Sequence, residues 1–188
     1  MPTTSRGTVI RHERDVLLGP HQLPGRFAIP EPPRGLVLFA HGSGSSRFSQ
    51  RNRYVASVLQ EAGMGTLLFD LLTEAEAEDR RLVFDIPLLA ERLQQAAAAV
   101  ADFPQLAKVP LGYFGASTGA AAALVAAARE PERIRAVVSR GGRPDLAGEF
   151  LPDVQAPTLL IVGGDDEPVI AMNQEAAAQM RCERKLVI

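Results

Sequence analysis

The sequence is poor in cysteine, in aromatic residues and in charge of a single sign. Its 188 residues include one cysteine, Cys182, so no disulfide can form within the chain and no paired-cysteine zinc site exists. Aromatic residues make up 5% and tryptophan is missing, which leaves little material for a base-stacking surface. Lysine and arginine total 20 against 22 acidic residues. Without a basic excess, we expect no nucleic-acid partner.

Long hydrophobic runs are missing as well. The most apolar long stretch is the alanine-rich segment Gly119–Ala128, which is too short to cross a bilayer. The N-terminal residues reach charged positions at Arg11 and Glu13, without the apolar stretch that a signal peptide needs. We therefore expect a cytoplasmic protein with no membrane partner. The sequence does not indicate an oligomeric state.

The sequence does contain enough apolar residues, 46%, for one sizeable core, and we expect residues 1–188 to form a single domain. Apolar runs alternate along the chain with segments of helical periodicity, as in βαβ units. The predicted strands are Val9–Leu18, Gln22–Ile29, Leu36–Ala40, Thr66–Phe69, Val109–Phe114, Ile134–Ser139, Thr158–Val162 and Lys185–Ile188. The predicted helices are Arg53–Ala62, Val83–Val100, Thr118–Glu130 and Asn173–Arg181, and the acidic segment Thr73–Asp79 is predicted to be a solvated linker.

This alternation predicts the α/β class, with a mostly parallel twisted sheet and helices on both faces, because right-handed crossovers place helices on each side. In such sheets ligands bind beyond the carboxyl ends of the strands. The loops that follow the predicted strands are therefore the places to search for chemistry.

The segment after the strand Val109–Phe114 contains G-x-S-x-G, as Gly115, Ser117 and Gly119. It joins a buried strand to a helix of small residues, which is the context of a nucleophile elbow. The two glycines allow close approach of strand and helix, and the helix N-terminus offers N–H groups to a developing negative charge. Two other interpretations stay open: Ser117 could simply cap the helix, or the turn could belong to a dinucleotide-binding loop, although G-x-G-x-x-G spacing is missing.

A second glycine-rich loop, His41–Ser46, follows the strand Leu36–Ala40. Such a turn can direct a backbone N–H at an oxyanion, and the residue after the nucleophile supplies the second donor. We assign these donors to the N–H groups of Ser43 and Thr118. His41 is a less favoured candidate for the catalytic base, since a histidine that opens such a turn usually orients the loop.

A third loop, Gly163–Val169, follows the strand Thr158–Val162 and contains two acids, Asp165 and Asp166. An acid here can orient a histidine and stabilise its protonated form, and the order Ser…Asp fits this fold class. Asp145 is a weaker candidate, and both Asp165 and Asp166 could instead cap a helix or form a turn.

These segments together resemble the α/β-hydrolase fold, in particular the small dienelactone-hydrolase-like group, from about Leu36 to Ile188. The resemblance implies a sheet without a sizeable cap domain, and its G-x-x-D-x-x-V pattern falls on Gly163, Asp166 and Val169, which favours Asp166 as the acid. Dienelactone hydrolases proper use a cysteine nucleophile, whereas this elbow carries serine. Some members of the group are fused to phosphoribosyltransferase domains, and nothing in the sequence shows such a fusion.

The family places its catalytic histidine after the final strand, but the three histidines here, His12, His21 and His41, all precede Ser117. One interpretation is that the chain is truncated at its C-terminus. Alternatively, His41 or a histidine from a partner chain substitutes, or the domain has lost catalysis and acts as a binding module.

The expected function is hydrolysis of a carboxylic ester, thioester or lactone. Ser117 would form an acyl-enzyme, with Asp166 orienting a histidine. This chemistry needs no metal or organic cofactor, and the expected partner is a small ester-type molecule. The side chains expected near the substrate are Phe48, Leu71, Leu72, Arg140, Arg143 and Phe150.

Overall fold

The computed structural model describes residues 10–188, and their side chains from residue 12 onward. Eight strands form one sheet. They are β1 (Ile10–Leu18), β2 (Leu23–Pro30), β3 (Leu36–Ala40), β4 (Gly65–Phe69), β5 (Leu111–Ala116), β6 (Ile134–Arg140), β7 (Thr158–Ile161) and β8 (Arg184–Val187). The predicted strands correspond to these within a few residues; Val9 lies outside the described residues.

Six α-helices and two 3₁₀ segments connect the strands. They are α1 (Gln50–Glu61), α2 (Glu74–Glu78), α3 (Arg80–Val83), α4 (Ile86–Ala99), α5 (Thr118–Arg129) and α6 (Glu167–Gln179), with 3₁₀ turns at Val100–Asp102 and Pro144–Asp153. None of the helices within residues 10–188 combines the length and the apolar character that a bilayer span requires.

The strands lie in the order β1-β2-β4-β3-β5-β6-β7-β8. From β4 to β8 all neighbours are parallel, whereas β1, β2 and β4 pair antiparallel. The carboxyl ends of β3 and β5 are adjacent, with Ala40 opposite Gly115. This register places the two loops predicted to carry the nucleophile and the oxyanion donors side by side.

Apolar side chains are buried on both faces of the sheet, which confirms the predicted α/β arrangement. On one face, Ala56 of α1 packs against Phe39, Leu68 and Phe114. The larger core lies on the other face, where α4, α5 and α6 pack. Residues 118 to 127 of α5 are all buried, because their small side chains let this helix lie between the sheet and α4.

The structure corrects four helix predictions. Helix α1 begins three residues before the expected Arg53, where Ser49 accepts a hydrogen bond from the N–H of Asn52. Helix α6 begins at Glu167, six residues before the expected start. The helix predicted over 83–100 begins only at Ile86, because Val83 is the last residue of α3 and Asp85 caps the new helix, which has Pro87 in its first turn. The predicted linker 73–79 contains α2, which has a capping box between Thr73 and Glu76.

Candidate active site

Ser117 occupies a strained turn between β5 and α5. Its backbone has φ +52° and ψ −124°, a region that non-glycine residues rarely adopt and that costs about 1–3 kcal/mol. The serine stands at the N-cap position, but its side chain makes no capping hydrogen bond. The hydroxyl is therefore not used to cap the helix, which argues against the interpretation of Ser117 as a simple capping residue.

The glycines around Ser117 are required by contact with backbone atoms. A Cβ on Gly115 would lie 2.4 Å from Cα of Ala120, and one on Gly119 would lie 2.2 Å from the carbonyl oxygen of Ala40. A Cβ on Gly42 would lie 2.8 Å from Cβ of Ser117. The loop after β3, the elbow and the start of α5 are thus packed closely enough that side chains at these three positions would clash.

The two predicted oxyanion donors are brought together, but one of them already has an acceptor. The N–H of Ser43 donates to Oγ1 of Thr118 over 3.0 Å. Thr118 is buried and lies in the first turn of α5, directly after Ser117. The sequence analysis missed this role of the Thr118 side chain, since no local pattern relates residues 75 positions apart.

His41 orients the loop after β3. Its Nε2 accepts a hydrogen bond of 3.1 Å from the N–H of Leu71, so its Nδ1 carries the proton and donates to the carbonyl of Gly42 over 3.0 Å. Burial lowers the pKa of His41, which keeps the imidazole neutral at pH 7. Because both ring nitrogens are engaged, His41 cannot accept the proton of Ser117 in this arrangement.

The other two histidines lie far along the sheet. His12 belongs to β1 and His21 to the turn before β2, and β4 and β3 separate both strands from β5. Hence none of the histidines within residues 10–188 is placed to act as the base for Ser117.

Asp166 lies at the carboxyl end of β7, just before α6, two strands from β5 in the sheet. Asp165 and Asp166 are both exposed, and within residues 10–188 neither carboxylate has a hydrogen bond or ion pair. Asp145 differs, because Arg143 binds its carboxylate over 2.8 and 2.9 Å. This pairing disfavours Asp145 as the triad acid.

A cavity of about 330 Å³ lies beside the elbow. It is bounded by the loop after β3, by Thr118 and by the segment after β4 that leads into α2, and Phe48, Leu71 and Leu72 line it as expected. Its wall is fixed by Asp70, which accepts hydrogen bonds from the N–H of Arg47 (2.7 Å) and from its guanidinium group.

The other three residues expected near the substrate are engaged elsewhere. A guanidinium nitrogen of Arg140 donates to Oδ1 of Asn52 over 3.2 Å, and Arg143 binds Asp145. The ring of Phe150 lies 5.1 Å below the guanidinium of Arg129. The guanidinium groups of Arg140 and Arg143 are therefore paired with side chains of the protein itself.

A strained serine on a strand-to-helix turn, beside a glycine-rich loop in a mostly parallel sheet, defines an α/β-hydrolase architecture. A dienelactone hydrolase from Anabaena variabilis is 57% identical, with a TM-score of 0.89 over 94% of this chain and 84% of that one. At this similarity, the chain belongs to the dienelactone-hydrolase-like α/β-hydrolases. A dienelactone hydrolase-like promiscuous phosphotriesterase from metagenomic libraries has the same fold, at 19% identity and a TM-score of 0.75 over 95% of this chain and 81% of that one.

Curated relatives are known from two strains of Mycobacterium tuberculosis. Each is named "Putative phosphoribosyl transferase" and is 58% identical over 177 residues, or 93% of this chain. The chain spans about 40% of the length of these relatives. No protein-family model matches the chain.

Proposed function

We propose that this chain is a serine hydrolase that acts on a carboxylic ester, thioester or lactone. The observation that carries the proposal is the backbone of Ser117, held at φ +52° with the backbone of Gly42 packed against its side chain. Backbone strain of this kind is concentrated at functional sites. Here the strained turn leaves the Ser117 hydroxyl without a capping hydrogen bond, beside the loop after β3.

The proposed reaction begins with attack of Ser117 Oγ on the substrate carbonyl. The resulting oxyanion would accept hydrogen bonds from the N–H groups of Thr118 and Ser43. Since the Ser43 N–H now donates to Thr118 Oγ1, that bond must open or be shared when the oxyanion forms. The carbonyl carbon then loses its bond to the ester oxygen or sulfur, which takes up the proton removed from Ser117. An alcohol or thiol departs, or, from a lactone, the new hydroxyl stays on the acyl group, and water then releases the acid from Ser117.

The proposed reaction also needs a base. Asp166 has a free carboxylate at the same sheet edge, suited to receive the Nδ1–H of an imidazole. We propose that this imidazole belongs to a histidine other than His12, His21 and His41. His41 has both ring nitrogens engaged, and the other two lie far along the sheet.

The same engagement of His41 supports the second candidate, a binding module of the hydrolase fold without catalysis. It would use the cavity beside Thr118 for a small molecule but leave Ser117 unreactive. The name of the Mycobacterium relatives offers a further activity, phosphoribosyl transfer. Because this chain carries the serine elbow and spans about 40% of the length of those relatives, hydrolysis is the activity proposed here.

A fluorophosphonate probe tests the proposal, because it phosphonylates an activated serine. We expect labelling at Ser117, located by peptide mass spectrometry and abolished in Ser117→Ala. Cys182→Ala should label like the unmodified chain, which excludes the thiol. Asp166→Asn should slow labelling and the matched variant Asp165→Asn should not. If the folded protein is not labelled even when imidazole is added to replace the base, the hydrolase proposal fails and the binding module is favoured.

A further inference from the structure

We propose that the cavity between α1 and the β1–β2 hairpin is a second small-molecule site, for an amphipathic anion with a flat apolar body. We call it the hairpin cavity. Helix α1 forms one wall and strands β1, β2 and β4 form the floor and the other wall. It lies on the face of the sheet that α1 covers. Among residues 10–188, Arg47 and Phe48 alone line both this cavity and the one beside Thr118.

The hairpin cavity has the size of a ligand site. Its volume is about 690 Å³, twice the roughly 330 Å³ of the cavity beside the elbow. Sites for small organic molecules typically hold about 300–1,000 Å³ and combine an apolar lining with a few polar groups. The volume therefore accommodates a molecule of two or three fused or linked rings.

Two large apolar side chains are exposed at the opening of the hairpin cavity. Leu17 is 63% and Phe48 is 61% exposed. The Phe48 ring is held in place, since the guanidinium of Arg47 lies 4.1 Å from its centroid and Arg47 itself pairs with Asp70. A fixed aromatic face at a cavity mouth suits a flat apolar ligand, which would remove both side chains from water.

The floor of the hairpin cavity is mostly apolar. Ala28, Ala56 and Leu68 are at most 9% exposed and line it. One polar pair interrupts this surface, where Nε2 of Gln60 donates to Oγ1 of Thr66 over 2.6 Å. The apolar body of a ligand thus meets an apolar floor with one fixed polar group.

Within residues 10–188, the cations that line the hairpin cavity are Arg26, Arg47 and Arg53, and the acids that line it are Glu13 and Asp15, whose charges both act on Arg26. Arg26 is bound by Asp15 through two hydrogen bonds of 2.7 and 3.0 Å, and Arg47 is bound by Asp70. Arg53 lies exposed on the α1 wall, and within residues 10–188 it takes part in no ion pair. Its guanidinium can bind a carboxylate, sulfonate or phosphate on the ligand with two parallel hydrogen bonds.

The test uses 8-anilinonaphthalene-1-sulfonate, an aromatic molecule with one sulfonate group, whose fluorescence rises when its rings leave water. We expect one saturable site per chain in a titration. Arg53→Gln should weaken binding about tenfold, as loss of a charged hydrogen bond does. Ser57→Trp, which fills the cavity from α1, should abolish it. Arg51→Gln is the matched control, since Arg51 lies on the same helix beside a different cavity.

Ser117→Ala should bind the probe like the unmodified chain, so this result is independent of whether Ser117 proves to be a catalytic nucleophile. Far-ultraviolet circular dichroism verifies that Ser57→Trp is folded, and the exposed Arg53 provides a test that does not depend on that variant. Absence of saturable binding would overturn the inference. So would binding that Arg53→Gln leaves unchanged, or that Arg51→Gln weakens equally.

Discussion

The N–H of Ser43 and Oγ1 of Thr118 form a hydrogen bond of 3.0 Å that joins the loop after β3 to the first turn of α5. The bond holds the loop against the elbow and gives the Ser43 N–H an acceptor within the protein. The side chain of Thr118 therefore positions the N–H of Ser43, a proposed oxyanion donor in the loop after β3.

Thr118→Val tests this bond, because valine has the shape of threonine but no acceptor. Loss of the partner of a partly buried N–H should lower the free energy of unfolding by about 1–2 kcal/mol, measured by urea denaturation. Exchange of the Ser43 amide proton, followed by NMR, should become faster. Thr118→Ser retains the hydroxyl and should stay close to the unmodified chain in both measurements. Unchanged stability and exchange in Thr118→Val would show that the bond is not maintained in solution.

Strain at Ser117 can be measured by comparing glycine with alanine at that position. Glycine adopts φ +52° without steric cost, and only part of this gain is offset by the greater freedom of glycine in the unfolded chain. Ser117→Gly should therefore be more stable than Ser117→Ala by about 1 kcal/mol, measured by chemical denaturation.

Ser57 gives the control for this comparison, since it lies within the regular helix α1. There the order should reverse, with Ser57→Ala more stable than Ser57→Gly by about 1 kcal/mol. If the alanine variant is more stable than the glycine variant at both positions, the elbow is not strained.

Glu76 stabilises the segment after β4 through a nearly buried partner. Its carboxylate accepts a hydrogen bond of 2.7 Å from Arg92, and the side chain of Arg92 is 4% exposed. Glu76→Ala leaves this cation without its acid, so the free energy of unfolding should fall by about 2–3 kcal/mol. Thermal and urea denaturation measure the change.

Glu78 is the matched control for Glu76, because it belongs to the same short helix and is exposed. Glu78→Ala should change the free energy of unfolding by less than about 0.5 kcal/mol. Equal effects of the two substitutions would show that Arg92 does not depend on Glu76.

The strands could be predicted from the sequence because buried parallel strands appear as short apolar runs. Leu36–Ala40 is a run of this kind, and the elbow after β5 is a local pattern of glycines around a serine. The sequence does not reveal the start of α6, because Gly163 to Asp166 favours a turn and because Pro168, Val169 and Ile170 in the first turn are weaker helix formers than alanine or leucine. The break at Phe84 and Asp85 is not visible in the sequence, because the apolar spacing continues across it.

The sequence by itself determined the fold class, the serine at a strand-to-helix turn and the glycine-rich loop that accompanies it, since each depends on neighbouring residues. Only the tertiary structure decided what distant side chains do: Thr118 holds Ser43, His41 holds Leu71 and Arg92 holds Glu76. The physical reason is that a hydrogen bond depends on the distance between two groups in space. Parallel strands and packed helices bring together residues that the sequence separates by 16 to 75 positions.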